Sequence, residues 1–350
     1  MSFARYYTTA LLALALLLLF FAFASPVLPT ASAAREYVFT GKTMGTYYRI
    51  KLVSSKNLKK PLWQKKIDIR LKEVNERLSM YQKTSELSRF NMTQANSPFR
   101  VSRDFYRVLV QCQDLYTLTD GAWDGTVKPL VDLWGFGTKH RNKTLPSQAD
   151  IQNALSRTGF NKLLLDDQNL TKTASGITLD LGSIAKGYGV DEIARLIAES
   201  GVENYLVEIG GELVGSGKNK RGKTWTVGIS KPKKGSVNPG LYKAVILENK
   251  AIATSGNYRN FFEKDGRLYS HIIHPKTGHP VDNMVVSATV IAPNCTRADG
   301  LATALMVMDT DKALDLVNSL EHTESLILKQ EGQALRAFRS NGFSEYEMDL

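Results

Sequence analysis

The sequence predicts an α+β fold, with mixed and largely antiparallel sheets flanked by helices. Segments with helical and with strand periodicity follow one another irregularly, so the regular βα succession of a doubly wound parallel sheet is absent. Strand patterns dominate beyond residue 204 and are separated by turn-forming residues. The 350 residues contain no internal repeat and no long linker. We therefore expect one large domain after the N-terminal segment.

The N-terminal segment is typical of a secretory signal peptide. Arg5 is followed by the apolar run Ala10–Ala24 and then by a small-residue cleavage site ending at Ala33. We predict that residues 1–33 are the leader and that residues 34–350 form the functional domain, exported to the periplasm. The run is short for a membrane-spanning helix, which needs about 20 residues. The alternative is an uncleaved leader that holds the chain at the outer face of the inner membrane.

Apolar periodicity predicts the elements of the domain in chain order. Strands are predicted over residues 37–40, 46–53, 205–209, 224–230, 242–247, 268–273, 285–291, 325–328 and 334–338. Helices are predicted around residues 67–78, 105–115, 151–155, 190–197, 298–308 and 314–317. Polar residues predict a loop over 85–91, whereas Ser147 and Thr310 are predicted to cap the helices that follow them. Cys112 lies on the apolar face of its helix and is expected to be a buried free thiol.

The formal net charge of +11 is compatible with nucleic acid, anionic lipid or a phosphorylated ligand. The basic residues are scattered, and the sequence contains no recognised nucleic-acid-binding signature. We therefore expect no nucleic-acid partner.

The stretch Leu179–Gly189 is the most distinctive of the chain. A short apolar run, interrupted by Asp180, crosses a Gly-Ser corner and continues into a helix. Such a corner favours anion binding, because small residues admit a close approach and the first helical N–H groups are unpaired. Lys186 falls in the first turn, where a bound phosphate would offset its unfavourable interaction with the helix dipole. The alternative is an ordinary strand–turn–helix unit with a solvated lysine.

A second stretch matches a phosphate-binding motif but lacks the helix that this motif requires. Residues 217–224 fit the P-loop pattern letter for letter, with Lys223 as the phosphate-binding lysine. A P-loop must open a helix, but the residues after Thr224 alternate as a strand does. We predict a basic hairpin loop instead.

Several side chains have the chemistry of a catalytic site. Asp299 and Thr303 are four residues apart on a predicted helix, so they share a face and offer hard oxygen ligands to Mg²⁺; the alternative is a helix-start aspartate and a buried threonine. His271 and His274 would point to opposite faces of a strand, which disfavours a shared metal. One of them remains a candidate base, and the other is expected to cap the turn at Pro275.

Short segments of the chain, in their order, resemble the FAD:protein FMN transferases, the ApbE-type family. These segments are Gly41–Thr46, Leu78–Asn91, Thr119–Pro129, Asp180–Tyr188, Val207–Glu212, Ala253–Gly256, Ser270–Gly278 and Ala298–Met306. Together they span nearly all of the chain after the predicted leader. The resemblance implies an α+β fold in which two lobes enclose a flavin cleft.

The resemblance also implies roles for individual residues. The implied FAD contacts are Met44, Tyr81, Ala122, Trp123, Asp124, Asp180, Lys186 and Ile273. The implied metal ligands are Asp299 and Thr303, with Ser183 and the Ala302 position beside them. His271 resembles a histidine proposed to assist proton transfer, while the residues themselves leave both His271 and Asp180 as candidate bases.

Members of this family bind Mg²⁺ beside the FAD pyrophosphate, transfer FMN to a Thr or Ser hydroxyl of a target protein and release AMP. Their targets include subunits of ion-translocating quinone reductase complexes. An FAD pyrophosphatase, in which water is the acceptor, is the alternative. A non-catalytic flavin-binding protein is a third hypothesis, against which Asp180, Asp299 and Thr303 argue.

Overall fold

The computed structural model describes residues 34–137, 145–233, 240–257 and 261–348. The predicted leader lies outside these ranges. No helix in the described ranges is both long and apolar enough to cross a membrane.

The described strands form four sheets. They are β1 (Arg35–Thr43), β2 (Thr46–Ser54), β3 (Phe99–Arg100), β4 (Leu163–Asp166), β5 (Asn169–Lys172), β6 (Asn204–Ile209), β7 (Glu212–Ser216), β8 (Trp225–Ser230), β9 (Leu241–Leu247), β10 (Lys250–Gly256), β11 (Phe261–Lys264), β12 (Arg267–Ser270), β13 (Val285–Ala292), β14 (Glu324–Glu331), β15 (Ala334–Arg339) and β16 (Glu347–Met348). The main sheet has the order β1-β2-β6-β7-β10-β13-β14-β15, and the small sheet has the order β16-β9-β8. Every neighbouring pair in these two sheets is antiparallel. The predicted α+β class with largely antiparallel sheets is confirmed.

The helices of the described ranges are α1 (Lys60–Leu78), α2 (Glu86–Asn91), α3 (Arg103–Leu118), α4 (Lys128–Leu133), α5 (Gln148–Ser156), α6 (Ala185–Glu199), α7 (Cys295–Val307) and α8 (Thr310–Asn318). Four of these helices, α1, α6, α7 and α8, contact the main sheet. α7 packs against β10 and β13 and lies beside α6. This contact places the start of α6 against the first two turns of α7, at Cys295 and Asp299.

The main sheet is buried on both faces. On one face, Ile50 and Val207 are fully buried in a core shared with α1 and α6. On the other face, Ile252 and Leu326 pack with Val227 of the small sheet. Alternate residues of the inner strands, such as β6 and β10, therefore supply cores on the two faces of the sheet, as the pleat of a strand requires.

Three local predictions are wrong for identifiable reasons. Residues 86–91 form α2 rather than a loop, because the Ser85 side chain accepts the N–H of Ser88 and caps the first turn. β12 ends at Ser270, so His271 lies beyond the strand. The cap of α8 is Asp309, whose side chain accepts two helical N–H groups, and not Thr310.

The apolar run before α6 is not a strand either. The Asn91 side chain donates to the Leu179 carbonyl at 2.8 Å and accepts the Leu179 N–H at 2.8 Å. The Asp180 N–H donates to the Gly125 carbonyl at 2.7 Å. A side chain and a loop thus satisfy the backbone groups that a neighbouring strand would otherwise pair.

Candidate functional site

Most of the predicted site residues line one open cleft of about 810 Å³. Its walls come from the loop before α4, the start of α6, the β6–β7 turn, β8, the end of β10, the segment after β12 and α7. All but two of the predicted site residues line it. The lining members are Tyr81, Ala122, Trp123, Asp124, Asp180, Ser183, Lys186, His271, Ile273, Asp299 and Thr303.

Met44 and Ala302 do not line the cleft. Met44 packs between the two largest cores with its backbone at φ +49°. Ala302 is fully buried on α7. Their roles toward flavin and metal stay predictions.

At the start of α6, two side chains of the cleft are fixed by short hydrogen bonds. Asp180 accepts the Gly182 N–H at 2.8 Å, and burial raises the pKa of its carboxyl. The Trp123 indole donates to the Ser183 hydroxyl oxygen at 3.1 Å.

Two of the first three amides of α6 are paired within the protein, so the expected row of unpaired amides is shortened. The Ala185 N–H donates to the Leu181 carbonyl at 2.8 Å. The Gly187 N–H donates to the Asp299 carboxylate at 3.0 Å. The beginning of α6 is therefore occupied by an internal carboxylate, and Lys186 is left to interact with a ligand through its side chain.

Lys186 lies between two buried carboxylates. Its ammonium nitrogen is 2.6 Å from Glu212 Oε1 and 3.7 Å from Asp299 Oδ1. Burial lowers the pKa of Lys186, but Asp299 and Glu212 outweigh it and hold that pKa above its usual value. The lysine is therefore a fixed positive charge at neutral pH.

Glu212 is the site residue that the sequence did not single out. It is 4% exposed, and its Oε2 has no hydrogen-bond partner among the described residues. Burial and Asp299 raise the pKa of Glu212 to about 7, although Lys186 opposes that shift. The only sequence signal was a glutamate directly after the Gly210-Gly211 turn.

Asp299 and Thr303 face the cleft from the same side of α7. The Thr303 hydroxyl is 3.0 Å from the hydroxyl of Ser255. No group of three or more His, Cys, Asp or Glu side chains in the described ranges could hold a metal. One carboxylate with hydroxyl oxygens is a donor set that suits Mg²⁺, which retains water and binds phosphate oxygens.

Trp123 and Asp124 support the wall of the cleft. The Trp123 side chain is 1% exposed. Asp124 accepts from the Thr126 N–H at 2.7 Å and from the Phe160 N–H at 3.2 Å, and burial raises the pKa of its carboxyl. Because its oxygens are used inside the loop, Asp124 fixes the shape of the wall. By contrast, Tyr81 is 79% exposed at the rim.

His271 and His274 have separate surroundings. His271 lines the cleft, with its ring 6.3 Å from that of Phe136 in an edge-to-face arrangement. His274 accepts the Lys276 N–H at 3.2 Å through Nδ1, and burial lowers its pKa. The prediction that one histidine caps the turn at Pro275 is therefore confirmed.

The P-loop pattern is a surface loop between β7 and β8. The Asn219 N–H donates to the Lys223 carbonyl at 2.8 Å, and the chain continues directly into β8. No helix follows the pattern, as predicted, and Lys223 does not line the cleft.

This fold and this cleft place the protein in a family of flavin-handling proteins: the chain belongs to the ApbE family, whose model matches residues 44–327. A Vibrio cholerae relative is 42% identical over 316 residues, covering 89% of this chain and 91% of the relative. A Haemophilus influenzae relative is 40% identical over 298 residues, covering 83% of this chain and 86% of the relative. Both relatives are named FAD:protein FMN transferase. The solved flavin transferase ApbE from Vibrio cholerae matches with a TM-score of 0.81 and 39% identity, over 89% of this chain and 99% of that one.

Proposed function

We propose that this protein is an Mg²⁺-dependent FAD:protein FMN transferase. In the reaction, a Thr or Ser hydroxyl oxygen of an acceptor protein attacks the FMN-side phosphorus of FAD. The bond from that phosphorus to the bridging oxygen breaks, AMP leaves with the bonding electrons, and the hydroxyl proton passes to a base. The observation that carries the proposal is the cleft in which Lys186, Asp299, Thr303 and His271 meet. The names of the relatives support the same activity.

Lys186 and the oxygens around it fit the charge of a pyrophosphate. The lysine is a permanent cation that is 28% exposed, so it can contact an anion in the cleft. Asp299, Thr303 and Ser183 would hold Mg²⁺, with the Ala302 position beside them. The metal supplies further neutralisation of the phosphate charge when it is bound.

The flavin side of the cleft is apolar and aromatic. Tyr81 offers an exposed ring at the rim against which a ring system can stack. The Ala122–Asp124 wall and Ile273 complete the proposed FAD contacts that line the cleft, and Met44, behind that lining, stays a predicted contact. The rigid hydrogen bonding of Asp124 makes this wall a preformed surface.

Two side chains of the cleft fit the role of the base. His271 lines the cleft and carries an imidazole, the side chain most often used for proton transfer. Burial raises the pKa of Asp180, which makes that carboxylate a stronger base than a solvated one. Both line the same cavity, so mutation must separate them.

Mass spectrometry of the acceptor tests the activity. The protein is incubated with FAD, Mg²⁺ and a candidate acceptor, which should gain the mass of FMN less water while AMP appears in equal amount. Asp299→Ala should abolish turnover, and EDTA should do the same to the wild type until Mg²⁺ is restored. Fast AMP release without any gain of acceptor mass would make the protein an FAD pyrophosphatase.

The proposed setting is the periplasm, with subunits of ion-translocating quinone reductase complexes as acceptors. The apolar run Ala10–Ala24 and the small residues before Ala34 support export. N-terminal sequencing of the protein recovered from cells should begin near Ala34. An intact Met1 in a cytoplasmic fraction would refute export, and an intact leader in the membrane fraction would indicate anchoring.

A further inference from the structure

β8 is an edge strand of the small sheet. It pairs with β9 from Trp225 to Ser230, and no strand in the described ranges pairs with its other edge. In an antiparallel pair, alternate residues direct their N–H and C=O groups away from the partner strand. The outer edge of β8 therefore presents backbone donors and acceptors that can pair with a further strand.

This edge forms one wall of the cleft. Residues 226–230 all line the cavity, and so do Leu206 and Leu213 of the main sheet, which pack against the core beneath β8. The side chains of Val227 and Ile229 are buried under β8, so the strand is fixed to the main sheet. We call this surface the step. Its floor is formed by the half-buried side chains of Leu206 and Leu213, and its wall is the outer backbone edge of β8.

The step is continuous with the part of the cleft that contains Lys186. The cavity that borders β8 also contains the Gly210-Gly211 turn, Glu212 and Lys186. Gly210 and Gly211 have φ values of +66° and +108°, so the turn carries no side chains that would obstruct a chain passing over it. An extended segment lying along β8 would reach the phosphate-binding region without a change of fold.

Both ends of β8 are basic. Lys223 precedes the strand, Lys231 and Lys233 follow it, and all three side chains are exposed. Acidic residues in a bound segment would complement these charges.

We propose that the acceptor protein docks by adding an extended, acidic-flanked segment as a new strand on the outer edge of β8. This proposal rests on the proposed transferase function. Main-chain hydrogen bonds would supply the affinity, and every second side chain would contact the apolar floor. A one-residue slip would turn the Thr or Ser hydroxyl to the opposite face, so strand register selects the hydroxyl that is modified.

The first test uses a library of synthetic ten-residue peptides, each with one central Thr. Peptides that gain FMN are isolated by flavin fluorescence, and the best is resynthesised with a single backbone N-methyl group at each position in turn. Methylation at alternate positions should reduce transfer at least tenfold, while the intervening positions should stay within about twofold. Loss without a period of two would overturn strand addition.

Hydrogen exchange supplies an independent readout. In the free enzyme, alternate amides of residues 225–230 should exchange fast, and the selected peptide should protect them. The amides of β13, a central strand of the main sheet, should stay unchanged as the internal control. Protection of both amide sets of β8 in the free enzyme would mean that the edge is already covered, and would overturn the proposal.

A charge reversal tests the basic ends. The double variant Lys231→Glu/Lys233→Glu should raise the KM for the selected peptide at least fivefold and leave FAD binding unchanged. Lys60→Glu, at an exposed position on α1 outside the cleft, is the matched control and should change neither. Equal KM values for both variants would overturn the proposed charge complementarity.

The outcomes separate this proposal from the function on which it rests. If intact proteins gain FMN but no peptide does, the docking mode is wrong and the transferase function stands. If FAD is cleaved but no protein or peptide ever gains FMN, the transferase function is wrong and the docking proposal is overturned with it.

Discussion

Replacing Gly187 by alanine should disturb the fold and the site together. An added Cβ would lie 2.3 Å from the carbonyl oxygen of Cys295 and 2.9 Å from Cβ of Asp299. Both contacts are with α7, and one of them is with its backbone, so α6 and α7 must separate. Overpacking of this kind costs about 1–3 kcal/mol, against a gain of roughly 0.5–1 kcal/mol from the better helix propensity of alanine. Because the 2.3 Å contact is with a backbone oxygen, we expect the upper end of the difference, a net loss of about 2–2.5 kcal/mol in the free energy of unfolding, measured by urea denaturation.

The same displacement should weaken metal binding. The Gly187 N–H holds the Asp299 carboxylate at 3.0 Å, so separating the helices moves the proposed metal ligand. Mg²⁺-dependent thermal stabilisation should be reduced in Gly187→Ala.

Gly189→Ala is the matched control for Gly187→Ala, because its added Cβ would meet the flexible end of Met44 at 2.7 Å. If both variants are equally stable and bind Mg²⁺ alike, the contact between α6 and α7 does not position the site.

Three other predictions concern single side chains. His271→Ala should slow transfer about 100-fold or more while FAD binding changes only a few-fold; equal effects in single-turnover kinetics and FAD titration would exclude a proton-transfer role, and Asp180→Asn should then show the larger rate effect. Burial raises the pKa of Asp191 to about 6 from 3.8, so the wild type should lose stability as pH rises from about 4 to 6. At about 1.4 kcal/mol per pKa unit, this loss is roughly 2–3 kcal/mol; Asp191→Asn should flatten the profile in urea unfolding at pH 4 and 7, and an unchanged slope would contradict the assignment. Lys223→Ala should leave FAD binding within a few-fold, whereas a loss of about 100-fold, nearly 3 kcal/mol, would restore the P-loop interpretation.

Local patterns predicted the parts of the fold that depend on neighbouring residues. The alternation in Tyr205–Ile209 and the hairpin around Gly332 both lie where the pattern indicated. The run Leu179–Leu181 has the same apolar character but is irregular, because the Asn91 side chain takes its hydrogen bonds. A contact between residues 88 positions apart cannot be predicted from the pattern within a window of ten residues.

The candidate site, like the fold, could be predicted only where it depends on residues that are close together in the sequence. The spacing of Asp299 and Thr303 placed both on one face of a helix, and both do line the cleft. Glu212 could not be identified in this way, because its position depends on the turn that brings β7 back toward α6. The Ile209↔Glu212 pair closes that turn and places the carboxylate 2.6 Å from Lys186. Such a juxtaposition is a property of the folded chain.

The two buried cysteines can report on local opening of the structure around them. Cys112 and Cys295 are both free and 0% exposed, and each belongs to a different core. Burial raises the pKa of each thiol well above its usual value, so neither is reactive while its core is closed. An alkylating reagent can modify each thiol only when the surrounding structure opens. The two labelling rates, measured separately, would show whether the core around Cys295, at the start of α7, opens independently of the core around Cys112 on α3. Repeating the measurement with FAD would show whether FAD keeps the core around Cys295 closed.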